Sequence, residues 1–446
     1  MKEKKTEKTI IRLGVSPIES NKKIGPVRSH LFNYLFAKKE KLEGKEASII
    51  FRVDDSNKEK HSPELSIEIL KFFQETLGFE FDITPLNSHD KIGQSVYQSE
   101  RQEVYAKYLE ELFDKHIAFV DAESGLTLFD VEKFIEQYGD VLEIDDLLRG
   151  RLKLQLTNFL NRGQRYFPLV RSDKTILYNL ATVVDDAEFG VTHVIRGQDK
   201  IALAEYQEMV RVALGLDSKK FLHTPMLLNK DGSLKGSPHL NELIKEGVAP
   251  QALVSYMISS GYGDPENIYP SMESFAKDFN YKEIHKNNGK FDRQKLDSIN
   301  KKIITSLSPE MYLDSIFIFL QKNNRGDIFD TLSNDTELKE IVSSVRRKPA
   351  EVISLIERIL KPKHNTYDPS LKEVLDKLFI FLTQNNYQLP TAKEISVDEA
   401  SLNNALRWIL TGDRSFPSIE KVVTYLETKG ELKARIELAE SFYKIN

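Results

Sequence analysis

Between Ile176 and Lys200 the chain reads ILYNLATVVDDAEFGVTHVIRGQDK, and this stretch constrains the fold more than any other. Its run Val191-Thr192-His193-Val194-Ile195 is apolar or β-branched at nearly every position instead of alternating. That is the pattern of a strand buried on both faces of a parallel sheet. Ligands of open α/β sheets bind just beyond the carboxyl ends of such strands. There the chain carries Arg196-Gly197-Gln198-Asp199. An arginine in that place either holds a carboxylate bidentately or caps the helix that follows. Upstream, Tyr178 offers an aromatic hydroxyl, and Asp185-Asp186 read as a turn bearing two adjacent carboxylates.

Two further strand–helix pairs precede this stretch. Ile10 to Ser16 reads as a strand, followed by a polar loop and by Ile24-Gly25-Pro26 opening a helix. Val27, Leu31, Tyr34 and Leu35 lie along one face of that helix, and proline suits its first turn. Strand, polar loop and glycine at a helix start read either as a phosphate-binding corner or as a plain loop. Glu46 to Val53 is a second strand, ending in Arg52, Asp54 and Asp55. Ser62-Pro63 caps a helix that runs to Gly78. Strand, helix, strand, helix predicts an α/β fold with a doubly wound parallel sheet.

From about Gln98 the rhythm changes. Ser99 to Lys115 is amphipathic, and short mixed elements follow to about Lys174, so 98–175 reads as a domain inserted between sheet halves 1–97 and 176–240. A loop rich in small and basic residues, NKDGSLKGSPH, closes the second half. Beyond Leu240 the apolar spacing is helical throughout.

Composition removes several function classes. The 446 residues contain no cysteine, which excludes disulfides, thiolate zinc sites and a cysteine nucleophile. The nine histidines show no HxH or HxxxH pair, so no zinc or other metal cage is expected. The charged start MKEKKTEK lacks an apolar core, and no apolar run reaches membrane-spanning length. A soluble cytoplasmic protein with no membrane partner is expected. A net charge of −5 argues against a uniformly basic nucleic-acid binder. Local basic clusters remain at Lys282 to Lys302 and at Arg346-Arg347-Lys348, with Lys361 and Lys363 nearby. Each reads either as a solvated helix face or as a phosphate contact.

Segments spread over nearly the whole chain resemble glutamyl-tRNA synthetase, a class I aminoacyl-tRNA synthetase. They are HLFNYLFAKK (30–39), QSERQEVYAKYLEEL (98–112), YNLATVVDDAEFGVTHVIRGQD (178–199), VAPQALVSYMISSGY (248–262), KFDRQKLDSIN (290–300) and LRWILTGDRSFPSIEKVVTYL (406–426). The resemblance implies a Rossmann-type parallel sheet with an inserted connective, acceptor-binding domain, then an all-helical C-terminal half. In that half, 241–305 would contact the tRNA stem and 306–446 the anticodon. It implies ATP with Mg2+ as cofactor, and glutamate and tRNA, in particular tRNA-Glu, as partners. By motif position Arg12, Ser16, Asp54, Tyr178, Thr182 and Arg196 would surround glutamate, and Gly25, Gln198, Asp199 and Lys235 would meet ATP. Arg346, Arg347 and Lys348 would contact tRNA.

The departures fall where the chemistry is. The family's His-hydrophobic-Gly-small signature is here Lys23-Ile24-Gly25-Pro26, and its Lys-Leu-Ser-Lys-Arg signature aligns with Leu234-Lys235-Gly236-Ser237-Pro238. The Asn expected one turn after Tyr178 is Thr182. Loss of one preorganised donor costs roughly a hundred- to a thousandfold in rate. The resemblance therefore implies an impaired ligase that still binds tRNA, including as a binding module beside an intact synthetase paralogue. The rival expectation is a fully active divergent ligase in which Lys23 and Lys235, with Gly25, serve catalysis as replacement cations.

Overall fold

The apolar strands predicted near residues 10–16, 46–53 and 191–196 lie side by side in one parallel sheet. A computed structural model of the chain describes residues 8–18, 22–56, 62–233, 237–264, 267–269, 271–364, 369–413 and 418–445. It falls into two units: Met1–Glu242 with Pro250–Ile299, and Leu243–Ala249 with Asn300–Asn446.

Nine strands build the two larger sheets of the first unit. They are β1 (Thr9–Val15), β2 (Ala47–Val53), β3 (Ala118–Val120), β4 (Thr127–Asp130), β5 (Val141–Asp146), β6 (Gly150–Gln155), β7 (Tyr166–Val170), β8 (His193–Gly197) and β9 (Lys220–Thr224). The main sheet has the order β2-β1-β8-β9-β5-β6, parallel except for the antiparallel β5–β6 hairpin at its edge. β8 is buried at every position, as its unbroken apolar run requires. β3, β4 and β7 form a separate antiparallel sheet.

Five helices position the site: α1 (Ile24–Leu42), α2 (Pro63–Lys71), α3 (Gln102–Asp114), α4 (Tyr178–Glu188) and α5 (Ile201–Ala213). The single apolar face predicted for α1 understates it, because every residue from Leu31 to Ala37 is buried. One side of α1 meets the sheet, where Asn33 donates to the carbonyls of Arg12 (3.1 Å) and Ile195 (2.8 Å) and so staples β1 to β8. Its other side is covered too, with Phe32 stacked on Phe279 and Tyr34 on Phe79. Ser62 caps α2 by accepting from the Leu65 amide at 3.3 Å, and Gly78 adopts a positive φ of 77° beyond that helical run.

Asp185 and Asp186 do not lie in a turn; they sit within α4, toward its C-terminal end. Helical spacing buries Leu180, Ala181, Val183 and Val184 around them, and arginines from distant segments neutralise the carboxylates. The segment inserted between the sheet halves shares the sheet's packing instead of standing apart. Phe129, Phe134 and Phe167 join one apolar core with Leu180 and Val184 of α4 and Met209 and Val210 of α5. Its β5–β6 hairpin also extends the main sheet.

The second unit is helical throughout its described residues, from Pro309–Lys322 to Leu432–Ile445. Ser308, Asp335 and Asp398 cap its helices through their side chains. Among the described residues of the whole chain, no helix is long and apolar enough to cross a membrane. The chain's one tryptophan, Trp408, is 2 % exposed in this unit's core, and its carbonyl lies 3.0 Å from His364 Nε2. Gly412 ends the helix Glu399–Thr411 at a φ of 76°, and a Cβ there would overlap the carbonyl of Lys363. Gly412→Ala therefore combines left-handed strain with that overlap, about 2 kcal/mol or more. The unfolding midpoint read by Trp408 fluorescence should fall by roughly 4–8 °C; an unchanged midpoint would mean that the closing turn carries no strain.

Candidate active site

At the carboxyl ends of β1, β2 and β8 lies a cleft of about 450 Å³, lined by Arg12, Ser16, Gly25, Asp54, Tyr178, Arg196 and Asp199 among others. The sequence-predicted residues thus converge from segments almost 190 positions apart.

The cleft rests on six buried charges. Arg12 donates to Asp186 through Nε (3.0 Å) and Nη2 (3.4 Å). Arg52 grips Asp54 through Nε (2.6 Å) and Nη2 (3.2 Å), and reaches Asp186 through Nη1 (2.8 Å). Arg101 meets Asp185 at 2.7 Å, where Tyr105 (2.9 Å) and Gln98 (2.9 Å) also donate. Burial works to raise the Asp186 carboxyl, but Arg12 and Arg52 outweigh it and hold that group below its ordinary range. Its stabilising contribution is therefore present above the unfolded value of about 3.9 and is lost as pH falls through the depressed folded value. Gly14 gives this network clearance, since a Cβ there would lie 2.6 Å from Asp54 Oδ2 and 3.1 Å from Arg52 Nη2.

Arg196 is 7 % exposed and anchored differently. Its Nε donates to His223 Nε2 (3.3 Å) and its Nη1 to Gln207 Oε1 (2.8 Å), while its buried Nη2 has no hydrogen-bond partner among the described residues. His223 Nδ1 lies 2.7 Å from Asp146 Oδ2. An unpartnered guanidinium nitrogen on a residue that lines a cleft is suited to an anionic ligand group. Arg12 retains Nη1 without a protein partner among the described residues.

Other predicted residues take different places. Thr182 is 2 % exposed and faces Arg52, with Oγ1 3.4 Å from Nη2, so it belongs to the floor beneath the cleft. Gln198 accepts from Arg149 and donates to Asn288 Oδ1 at 2.7 Å. Lys23 is the N-cap of α1 and pairs by its backbone with His239, while the Ile24 amide donates to the Pro238 carbonyl at 3.1 Å. The two altered signatures are thus neighbours in space. Lys235 lies outside the described residues. Arg346 sits at a left-handed turn (φ 52°) with its guanidinium 5.1 Å from the Tyr312 ring centroid, and Arg347 and Lys348 follow it exposed. Among the described residues no cluster of three His, Asp or Glu side chains is placed to hold a metal ion.

Sequence reasoning did not single out Arg101, Asp146, Gln207, His223 or the cleft-lining His30. Burial and then Arg12 push the His30 ring down to about 4, which leaves it neutral at physiological pH. The one available signal for His30 was its position seven residues, or two helical turns, after Lys23.

Residues 20–139 and 131–298 match the family of tRNA synthetases class I (E and Q), catalytic domain. A glutamate–tRNA ligase of Methylacidiphilum infernorum is 29% identical over 343 residues, 75% of this chain and 72% of that protein. A glutamate–tRNA ligase of Caldanaerobacter subterraneus is 26% identical over 98% of both chains. Among solved structures, a glutamate tRNA ligase from Elizabethkingia meningosepticum, in complex with its amino acid, superposes with a TM-score of 0.69 at 19% identity. It covers 97% of this chain and 99% of its own, which establishes likeness of fold.

Removing one member of a buried ion pair strands the other. Arg101→Met should destabilise the chain by about 3–5 kcal/mol, and adding Asp185→Asn should recover part of the loss. Chemical denaturation of the single and double variants checks this; strictly additive losses would mean that the pair is not coupled.

Proposed function

The chain belongs to the class I tRNA synthetases of the glutamate and glutamine (E and Q) type, and from that premise we propose that it binds glutamate and tRNA but forms glutamyl-adenylate poorly. The family reaction joins glutamate to ATP with release of pyrophosphate, then transfers glutamate to the 3′ end of tRNA-Glu. In this reading the protein is cytoplasmic, and ATP brings Mg2+ with its phosphates; no step is assigned to a protein-held ion.

The observation that carries the reading is a contrast within one cleft. At the amino-acid end, Arg196 Nη2 is desolvated and unpartnered beside Arg12 and Tyr178, ready for a side-chain carboxylate. Ser16 and Asp54 line the same end, where they would meet the backbone of glutamate. At the proposed triphosphate end, Gly25 lies in the first turn of α1 and Asp199 lines the cleft, where in this reading it would meet the ATP ribose. The cation-bearing signatures, however, have become Lys23-Ile24-Gly25-Pro26 and a segment ending Ser237-Pro238. Lysine is a flexible point charge, so Lys23 replaces a positioned imidazole without its geometry. Two altered contacts, each worth ~2.7–4 kcal/mol when preorganised, leave the developing charge on pyrophosphate weakly met.

Glutamate-dependent ATP–pyrophosphate exchange, measured with tRNA present, should be at least about a hundredfold below ordinary rates for such enzymes. Lys23→His combined with Ser237→Lys should raise it. Robust exchange by the unmodified protein, abolished by Lys235→Ala, would overturn the impaired reading and make Lys235 the working cation.

The turn Arg346-Arg347-Lys348 is the proposed tRNA phosphate contact, within a region read as anticodon-binding. Replacing all three by alanine should weaken tRNA binding and make the slope of log affinity against log salt shallower by about 2–3. Binding indifferent to both salt and substitution would remove tRNA as the partner of this turn.

A further inference from the structure

We propose that Asp146 and His223 form a positioning pair for Arg196, fixing the imidazole tautomer that accepts from the guanidinium and so aiming Arg196 Nη2 into the cleft. The proposal rests on the reading of that cleft as a glutamate site.

Arginine only donates. At 3.3 Å from Arg196 Nε, His223 Nε2 must therefore be the acceptor and carry no proton. A neutral ring in that state has its hydrogen on Nδ1, which faces Asp146 Oδ2 at 2.7 Å. Asp146 is committed to accepting. Oδ2 also takes the His223 amide (3.1 Å), and Oδ1 takes the amides of Leu148 (2.9 Å) and Arg149 (2.8 Å). With four donors converging on it, a buried carboxylate at this point permits one tautomer only. Burial pushes the His223 pKa down, which keeps the ring neutral.

The register of the sheet makes this meeting possible. Arg196 is paired across β8–β9 with His223, and Asp146 across β5–β9 with Phe221, so the three residues come together at the carboxyl ends of three neighbouring strands. Asp146 ends a strand supplied by the insertion, and Arg149, in the turn after it, holds Gln198 as well. A single hairpin turn thus sets two residues that follow one another closely at the end of β8.

Asp146→Asn keeps the size but adds an N–H donor. Turned toward the ring it would donate to Nδ1, move the proton to Nε2 and set two donors against each other at Arg196. In 15N-histidine NMR the unmodified protein should show His223 protonated at Nδ1, and Asp146→Asn should move the proton to Nε2. By calorimetry with tRNA present, Asp146→Asn should weaken L-glutamate binding at least tenfold while ATP binding stays within twofold. Glutamate binding within twofold of the unmodified protein, or an Nε2-protonated ring in that protein, overturns the pair.

If Asp146→Asn does not fold, two substitutions at the ring decide. His223→Gln can still offer an oxygen near the Nε2 position and should bind L-glutamate within about threefold of the unmodified protein. His223→Leu offers no acceptor and should lose tenfold or more; equal losses overturn the proposal. If the unmodified protein binds no L-glutamate, the ligand reading fails, and the tautomer measurement alone upholds or overturns the pair.

Discussion

Taking a carboxylate or a guanidinium out of water costs several kcal/mol, so Asp54, Asp185 and Asp186 are tolerable inside the first unit only because Arg12, Arg52 and Arg101 meet them there. The partners come from β1, β2, the start of α3 and the last turn of α4. No local segment satisfies itself apart from Arg52 with Asp54. The network forms only when the two halves of the sheet, separated by the insertion, have come together. Its net contribution to stability is small, but its dependence on arrangement is steep, because any slipped register strands a buried charge. Gly14 belongs to the same constraint: a side chain on that strand would displace the Arg52–Asp54 pair.

The same accounting of donors separates arginines that hold the fold from Arg196, the one proposed to meet a ligand. Arg52 spends all three nitrogens on Asp54, Asp186 and Thr182. Arg12 spends two on Asp186. Among the described residues Arg196 has no carboxylate partner; its contacts are a neutral ring and an amide, and its third nitrogen is without a partner there. Proximity to a cleft is therefore a poor guide to which cation binds substrate. The useful distinction is whether a cation's charge is already neutralised: of the two arginines that line the cleft, Arg12 is paired with Asp186, and Arg196 has no carboxylate partner among the described residues.

Much of the fold was legible because it rests on local pattern. The apolar run before Arg196, the strand ending at Arg52-Val53 and the Ser62-Pro63 cap each announce themselves within a few residues. What was illegible depends on partners far away in sequence. Asp185-Asp186 resembled turn chemistry because adjacent carboxylates disfavour a buried helix unless neutralised, and their arginines lie 84 to 174 residues away. Thr182 was placed against substrate by motif position, yet a hydrogen bond spanning 130 residues turns it toward Arg52. The Asp146–His223–Arg196 chain was missed for the same reason, with separations of 77 and 27 residues. The hairpin that supplies Asp146 alternates exposed and buried positions, as a half-covered strand does, and nothing in that alternation shows which sheet it joins.

This separation of roles also explains how the scaffold persists while the two cation-bearing signatures differ. Lys23 is half-buried at a helix start, and it and Ile24 meet the facing segment through the backbone. Substitutions at such places typically change stability by less than about 0.5 kcal/mol. A change at Arg12, Arg52 or Arg101 would instead strand a buried carboxylate, at about 3–5 kcal/mol, a large share of a domain's whole stability. Drift at the proposed triphosphate end is therefore nearly invisible to folding, whereas drift in the floor of the cleft is not. Arg196, Gln207 and His223 are buried as that floor is, so on the proposed reading the amino-acid end shares its protection. On the proposed reading, a cleft of this construction loses its phosphate chemistry before it loses its carboxylate recognition.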